Sequence, residues 1–419
     1  MSDVLLVSQA APHGVAWPHD DLEERVVRAL GLAATVLDEL GETGFTDAER
    51  PALGFGPDKP VAESAMLAYA AAGATASRRL ATAVDEVVER LVPLCRSPRA
   101  LADAALRPSR AFKYAIPHTL LTALGHPDER VDDFFLGQCA DARGLAADLP
   151  PVARMERQWV MGRYGPSGFD VRGTALERPL DVLAVEREDA YALTHALFYV
   201  SDFARHAPAT LGRPRASLLD DVRALVARYL RLEDYDLCGE LLMAWPELGA
   251  GWDPVSSFAF RVLAEVEDRV GLLPCGNVDE RRVAAMDGPE ARRYTLATAY
   301  HTAFVMGFAC AAALRVGPPA RRLDRVMPPD PVWADLYGLV DHGRGHWQGV
   351  FATLDDDERA ALTPMLADMA ALDAMESRDY RRADRVLDIA AWVGIEGPLQ
   401  RRSRAVLAAL GRAVELTRS

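Results

Sequence analysis

Apolar residues recur three and four positions apart along nearly the whole chain, a period that suits helices and disfavours strands. Residues 21–40, DLEERVVRALGLAATVLDEL, set the pattern. They open on the acidic pair Asp20–Asp21 and stop at Gly41, the start and stop expected of a capped helix. Like runs fall near 61–75, 78–94, 98–106, 110–124, 129–147, 150–162, 188–206, 216–231, 235–245, 255–270, 279–285, 290–316, 331–341, 356–373, 379–393 and 397–417. Proline and glycine punctuate the gaps, at Gly54–Pro57, Pro108, Pro127, Pro150–Pro151, Gly165–Gly168, Pro208, Pro246, Gly249–Pro254, Pro274–Gly276 and Pro318–Pro319. A single short segment, ALERPLDVLAV at 175–185, has any strand character. The expected fold class is all-α, with stacked helical hairpins forming an α/α toroid or a helical solenoid.

Four segments follow from the punctuation: a flexible N-terminal arm at 1–20, a helical half at 21–160, an irregular connection at 161–186, and a second helical half at 187–419. The halves are also compatible with one continuous domain. The tail RDYRRADRVLDIAAWVG, 378–394, has the small packing residues of one half of a TPR-type hairpin.

Composition excludes several function classes. A formal charge of −14 with no basic stripe argues against nucleic acid as a partner. Five scattered cysteines with no CxxC pair fit a reducing cytoplasm better than a disulfide framework. The opening MSDVLLVSQAAPHG lacks the basic region of a signal peptide. The segment LATAYHTAFVMGFACAAALRVG, 296–317, has bilayer-spanning length, but His301 and its many small residues favour a buried central helix over a membrane span. Lysine occurs only as Lys59 and Lys113, an Arg-for-Lys usage that high-GC codon bias explains.

Chemistry concentrates in three helical stretches. In DAYALTHALFYVSDFARH, 189–206, helical steps place Tyr191, His195, Tyr199, Asp202 and His206 in one stripe. Such a stripe is usually Glu, Lys and Arg; His, Tyr and Asp are residues of polar-lined cavities. The plainer reading has the tyrosines packed with wet tips and His206, with Arg205, capping the helix C-terminus. In EDYDLCGELLMAW, 233–245, Asp236 and Glu240 face the same way, and Gly239 permits close approach of a helix or ligand. Asp236 also reads as a helix-start residue and Cys238 as a small core residue. In YTLATAYHTAFVMGF, 294–308, His301 shares its face with Thr298 and Tyr294 on an apolar helix, where it needs a hydrogen-bonding partner and where burial is expected to lower its pKa.

Lesser candidates are His118 in IPHTLL, and Trp159 in RMERQWVMGRY, where Arg154 and Glu156 read as a surface ion pair. The histidines of DHGRGHWQGV, 341–350, stand four apart, but the intervening glycines disfavour the regular helix that a metal motif needs. His195, His301, His118, Asp236, Glu240 and Cys238 are ligand types for zinc or iron. No two histidines have ligand spacing on a helix, so a site would be assembled from separate helices and no metal ligand is assigned. No phosphate loop, dinucleotide fingerprint or nucleophile elbow occurs, and no cofactor is indicated by a motif.

The set RMERQW, THALFYVSDF, DLCGELL and YHTAFVMG, over roughly residues 150–310, resembles an all-helical bacterial family of unassigned function. The resemblance implies a helical fold and a central site near His195, Asp202, Asp236 and His301, with no known reaction. A looser likeness to α/α-toroid enzymes rests on architecture alone.

These readings lead to an enzyme acting on a small molecule or short peptide, in a biosynthetic setting. His195 and His301 are the proton-transfer candidates, and Asp202 orients one imidazole. Tyr199, Tyr191, His118, Asp236, Glu240, Cys238, Thr298 and Trp159 are the expected lining. Neither nucleic acid nor membrane is an expected partner; a homo-oligomer is compatible with the sequence. The rival expectation is a non-catalytic helical-repeat scaffold that binds a protein or peptide in a concave groove.

Overall fold

The computed structural model describes residues 16–45, 55–141, 149–163, 168–276, 278–323, 332–340 and 345–418. Among them the first seven α-helices are α1 (His19–Leu40), α2 (Asp58–Ala71), α3 (Arg78–Cys95), α4 (Pro98–Leu106), α5 (Ala111–Ala123), α6 (Glu129–Asp141) and α7 (Pro151–Met161). After the connection come α8 (Arg187–Ser201), α9 (Arg215–Arg231), α10 (Tyr235–Leu242), α11 (Ala244–Glu247), α12 (Pro254–Val270), α13 (Glu280–Ala285) and α14 (Gly288–Val316). The last are α15 (Val332–Tyr337), α16 (His346–Ala352), α17 (Asp356–Ala361), α18 (Thr363–Glu376), α19 (Tyr380–Trp392) and α20 (Pro398–Arg418). The protein is all-helical. Its only β features among the described residues are isolated bridges, Ala16 with Ala320 and Phe45 with Phe55.

Local chemistry sets the ends. Ser77 accepts from the Leu80 amide to start α3, and Asp253 with Ser256 forms a reciprocal capping box on α12, which stops at Gly271 with φ 91°.

Several sequence expectations are corrected. Segment 175–185 is a run of turns, not a strand. The run 235–245 divides into α10 and α11, and 356–373 into α17 and α18; each second piece carries a proline in its first turn or centre. In 341–350, by contrast, the expectation holds: Gly345 is the N-cap of α16, which starts only at His346, so that helix does not carry both histidines. His342 and the first fifteen residues of the expected arm lie outside the described residues; Trp17 packs edge-on to Phe260 with ring centroids 5.1 Å apart.

The run 188–206 ends early. Helix α8 stops at Ser201, and Asp202, Phe203 and Ala204 take left-handed φ values of 52°, 57° and 58°. Side chains with a Cβ adopt that region at a cost, so surrounding contacts must hold it. Phe203 stacks between Phe198 and Phe308, each at 5.5 Å, while the Asp202 carboxylate accepts from Tyr69 (2.6 Å) and Trp159 (2.8 Å).

Helix α14 is the centre. It is long and apolar enough to cross a bilayer, but 89% of its most apolar window is buried within the protein. It packs against α1, α2 and α10, so helices from both sequence halves share one core. Glycines bring these neighbours close. A Cβ on Gly307 would stand 2.6 Å from Ala29 Cβ and 3.0 Å from Leu67, and one on Gly239 would stand 2.4 Å from Val305. Arg25 ties α1 to α12: fully buried, it donates to Asp268 (2.8 Å) and Asp21 (2.9 Å) and also meets Glu267. Burial opposes its charge, but those carboxylates hold it firmly protonated.

Two predictions follow from this packing. Gly307→Ala should destabilise the chain by about 1–3 kcal/mol, because Ala29 has no flexible end to yield. Gly31→Ala, on the exposed side of α1 with open space around it, should stabilise by ~0.5–1 kcal/mol, both variants being measured by urea titration. Equal effects at the two glycines would refute the close-approach role.

The second concerns α18 and α20. Asp368 accepts from Gln400 at 2.7 Å, yet burial pushes its carboxyl from the ordinary 3.8 up to about 7. The folded chain therefore binds a proton that the unfolded chain releases, so this group's contribution to stability falls as pH rises from about 4 to 7. Asp368→Asn should gain ~1–3 kcal/mol over the parent at pH 8 and little at pH 4. A gain independent of pH would disprove the assignment.

Candidate functional site: a carboxylate and histidine cluster

Asp234 caps α10 by accepting from the Leu237 amide, and four residues apart on one face of that helix stand Asp236 and Glu240. Gly239, between them, lets α14 approach closely at Val305. His301 lies one turn before Val305, so it meets the same face of α10. Its Nε2 stands 3.4 Å from Glu240 Oε1 and 3.7 Å from Asp236 Oδ2. From α2, Glu63 Oε2 reaches the other ring nitrogen, Nδ1, at 3.3 Å.

Helix α8 covers this cluster with the predicted stripe. Tyr191 donates to Asp236 Oδ2 at 2.5 Å, Thr194 donates to Glu240 Oε2 at 2.5 Å, and His195 Nε2 stands 3.8 Å from that same oxygen. Tyr199, one turn on, donates to Glu156 of α7 at 3.2 Å. Glu240 is the floor, with its side chain 3% exposed, whereas His301 is 29% and His195 40% exposed. The histidines thus connect a buried carboxylate to solvent.

The charges are set by their neighbours. Burial pushes against ionisation of Glu63, but Lys59 and His301 overcome it and hold the carboxyl at about 2. Burial likewise opposes the Glu240 charge, and His195 and His301 bring it below the usual range. Glu156 goes the other way, since burial outweighs Lys113 and His195 and raises it. The lowered pKa expected of His301 is corrected: burial does disfavour its charge, yet Asp236 and Glu63 hold the imidazole protonated well above its ordinary range. Three buried atoms here have no hydrogen-bond partner: Glu63 Oε2, Asp236 Oδ1 and His301 Nδ1. Both oxygens of fully buried Glu247, close enough to feel the Glu240 charge, also lack one. Chemically, the cluster can exchange protons at the histidines or hold a cation between carboxylates.

Other expected site residues lie elsewhere. Asp202 orients no imidazole: the left-handed turn aims its carboxylate at Tyr69, Trp159 and Arg163. Trp159 forms the link, donating to Asp202 while its ring lies 5.5 Å from that of Tyr199. His118 is 0% exposed, held between Arg96 (3.3 Å) at the end of α3 and Asp132 (3.1 Å) of α6, so it ties α5 to both. Cys238 is fully buried, its thiol toward the Val226 carbonyl at 3.9 Å. Thr298 donates to its own helix, at the Thr295 carbonyl. His206 lies beyond the end of α8, and Arg205 donates to the Ala72 carbonyl at 3.0 Å, capping α2 rather than its own helix. A separate cavity of about 440 Å³, lined by Asp58, Val61, Lys113, Tyr114 and Pro117, touches none of the clustered carboxylates.

Sequence reasoning missed Glu63, Thr194 and the inward turn of Glu156. Arg154 is no surface partner to that glutamate, because it donates to the Leu149 and Arg172 carbonyls, each at 3.2 Å. One signal was present. In a chain with 47 basic residues, nearly all arginine, the two lysines both serve the cluster. Lys59 Nζ stands 3.9 Å from Glu63, and the Lys113 charge acts on Glu156.

The chain matches none of the curated proteins and none of the solved structures compared with it. Residues 29–311 match DUF6895, described as a domain of unknown function, a longer span than the 150–310 of the sequence resemblance. That stretch contains Glu63, Glu156, His195, Asp236, Glu240 and His301, so the whole cluster lies within it, and the chain belongs to this family.

Proposed function

We propose that the protein is an enzyme that acts on a small molecule or short peptide by general acid–base chemistry at this cluster. The observation that carries the reading is the convergence of two partly exposed imidazoles, His195 of α8 and His301 of α14, on one buried carboxylate, Glu240. A histidine with one edge in solvent and the other against a fixed carboxylate is built to take up and return protons. His195, the more exposed, is the group that meets substrate; Tyr191 and Tyr199 flank it on the same stripe. Orientation of the imidazoles, expected from Asp202, falls to Glu63, Asp236 and Glu240.

The scaffold reading calls for a stripe of exposed apolar residues along a concave face. The large apolar side chains that are exposed, such as Leu106, Leu232, Val270 and Trp392, are scattered over different helices, which favours the enzyme. The cluster draws on α2, α7, α8, α10 and α14, helices from both sequence halves, and this supports hairpins closing round a centre in the manner of an α/α toroid. Free cysteines support a reducing, cytoplasmic setting.

Incubation of the protein with a pool of small metabolites and short peptides, read by mass spectrometry, tests this function. At least one compound should be consumed, and His195→Ala should slow its loss by ~10²–10⁴-fold while shifting stability by no more than about 1 kcal/mol. No compound consumed by the parent protein, or equal consumption by the variant, would sink the reading.

A further inference from the structure

The strongest unassigned feature is how the three innermost ligand-type side chains are held. Asp236, Glu240 and His301 each offer one atom such that all three atoms lie within 4.8 Å of one another. Each is met by a side chain from another helix, α8 for the two carboxylates and α2 for the imidazole. Tyr191 donates to Asp236 Oδ2, Thr194 donates to Glu240 Oε2, and Glu63 faces His301 Nδ1. On the inner side, Glu240 Oε1 and Asp236 Oδ2 stand 3.4 Å and 3.7 Å from His301 Nε2, and Asp236 Oδ1 has no hydrogen-bond partner.

Those separations discriminate between two explanations. Charge-assisted hydrogen bonds close to about 2.7–2.9 Å. The edges of a tetrahedron around a metal with roughly 2.0–2.1 Å bonds are about 3.3–3.5 Å. The 3.4 Å from Nε2 to Glu240 falls in the second range and the 3.7 Å to Asp236 lies slightly beyond it, while both are too long for the first. A carboxylate on the outer nitrogen of a ligating histidine, and hydroxyls on the outer oxygens of ligating carboxylates, are the partners that orient metal ligands.

We propose that Asp236, Glu240 and His301 bind one first-row divalent cation, with Glu63, Tyr191 and Thr194 positioning them. One imidazole with two carboxylates suits zinc, manganese or ferrous iron. Binding displaces the Nε2 proton of His301 to solvent, and the cation takes over the imidazolium's place against Glu63, Asp236 and Glu240, three carboxylates in one largely buried space. His195, beside Glu240 at the solvent edge, remains the proton-transfer group. The site shares its residues with the proposed enzyme but does not depend on turnover.

The test uses full-length protein stripped with chelator, dialysed against Zn²⁺ or Mn²⁺, with bound metal counted by elemental analysis and thermal unfolding followed in parallel. One equivalent per chain and a raised unfolding midpoint are expected. His301→Ala and Glu240→Gln should weaken binding at least ~100-fold and Glu63→Gln about 10–100-fold, while exposed His206→Ala leaves it unchanged. Circular dichroism of the metal-free variants separates lost binding from lost folding. Should Glu240→Gln fail to fold, Asp236→Asn and Glu63→Gln carry the same comparison. Failure of both metals to reach stoichiometric uptake, or unchanged affinity in the folded His301 and Glu63 variants, overturns the site. Metal uptake without any consumed metabolite would count against the enzyme alone, and consumption without uptake would count against the cation alone.

Discussion

Everything at the centre depends on how closely α10 and α14 approach each other. The approach is set by Gly239, where any Cβ would strike Val305 at 2.4 Å. Glu240 follows Gly239 directly, and His301 precedes Val305 by one helical turn, so the glycine that brings the backbones together also brings carboxylate to imidazole. On its other side α14 is drawn onto α1 and α2 through Gly307, which carries Glu63 to the outer nitrogen of the same ring. Two residues without side chains therefore position three with charge. A bulkier neighbour at either place would separate the charges before it unfolded the helices.

The electrostatics explain why such a centre needs many partners. A buried carboxylate without compensation takes up a proton, as Glu156 and Glu247 tend to do, both raised chiefly by burial. Glu63 and Glu240 behave oppositely because Lys59 and the two histidines stand beside them. Carboxylates of both kinds within one cluster are the usual circumstance in which acid and base roles separate. The left-handed turn at 202–204 contributes by removing a further carboxylate: it swings Asp202 out of the α8 stripe and onto Arg163, Trp159 and Tyr69.

Much of this was legible in the sequence, and the failures have physical causes. The 3.6-residue period located nearly every helix, and the Tyr191–His195–Tyr199 face was readable because neighbours on one helix are a matter of arithmetic. Extending the stripe to Asp202 failed because nothing local forbids another turn; Phe203 stacking between Phe198 and Phe308 ends it, a contact made across the fold. His118, which reads as site-lining from its place after Pro117, and Cys238, which reads as either lining or a small core residue, are both sealed in packing that only their neighbours determine. Glu63 escaped notice as one carboxylate in a small-residue helix, though Lys59, a rare lysine one turn before it, marked the place.

The sequence by itself determined an all-helical chain, the ends of most helices, the Asp236–Glu240 face and the isolation of His301 on an apolar helix. Those properties depend on residues within a turn or two of each other, where backbone geometry and capping act directly. Only the tertiary structure decided that α2, α8, α10 and α14 bring Glu63, His195, Glu240 and His301 to one point. That outcome depends on glycine-sized gaps between helices up to hundreds of residues apart, and no local period encodes which gaps will face each other.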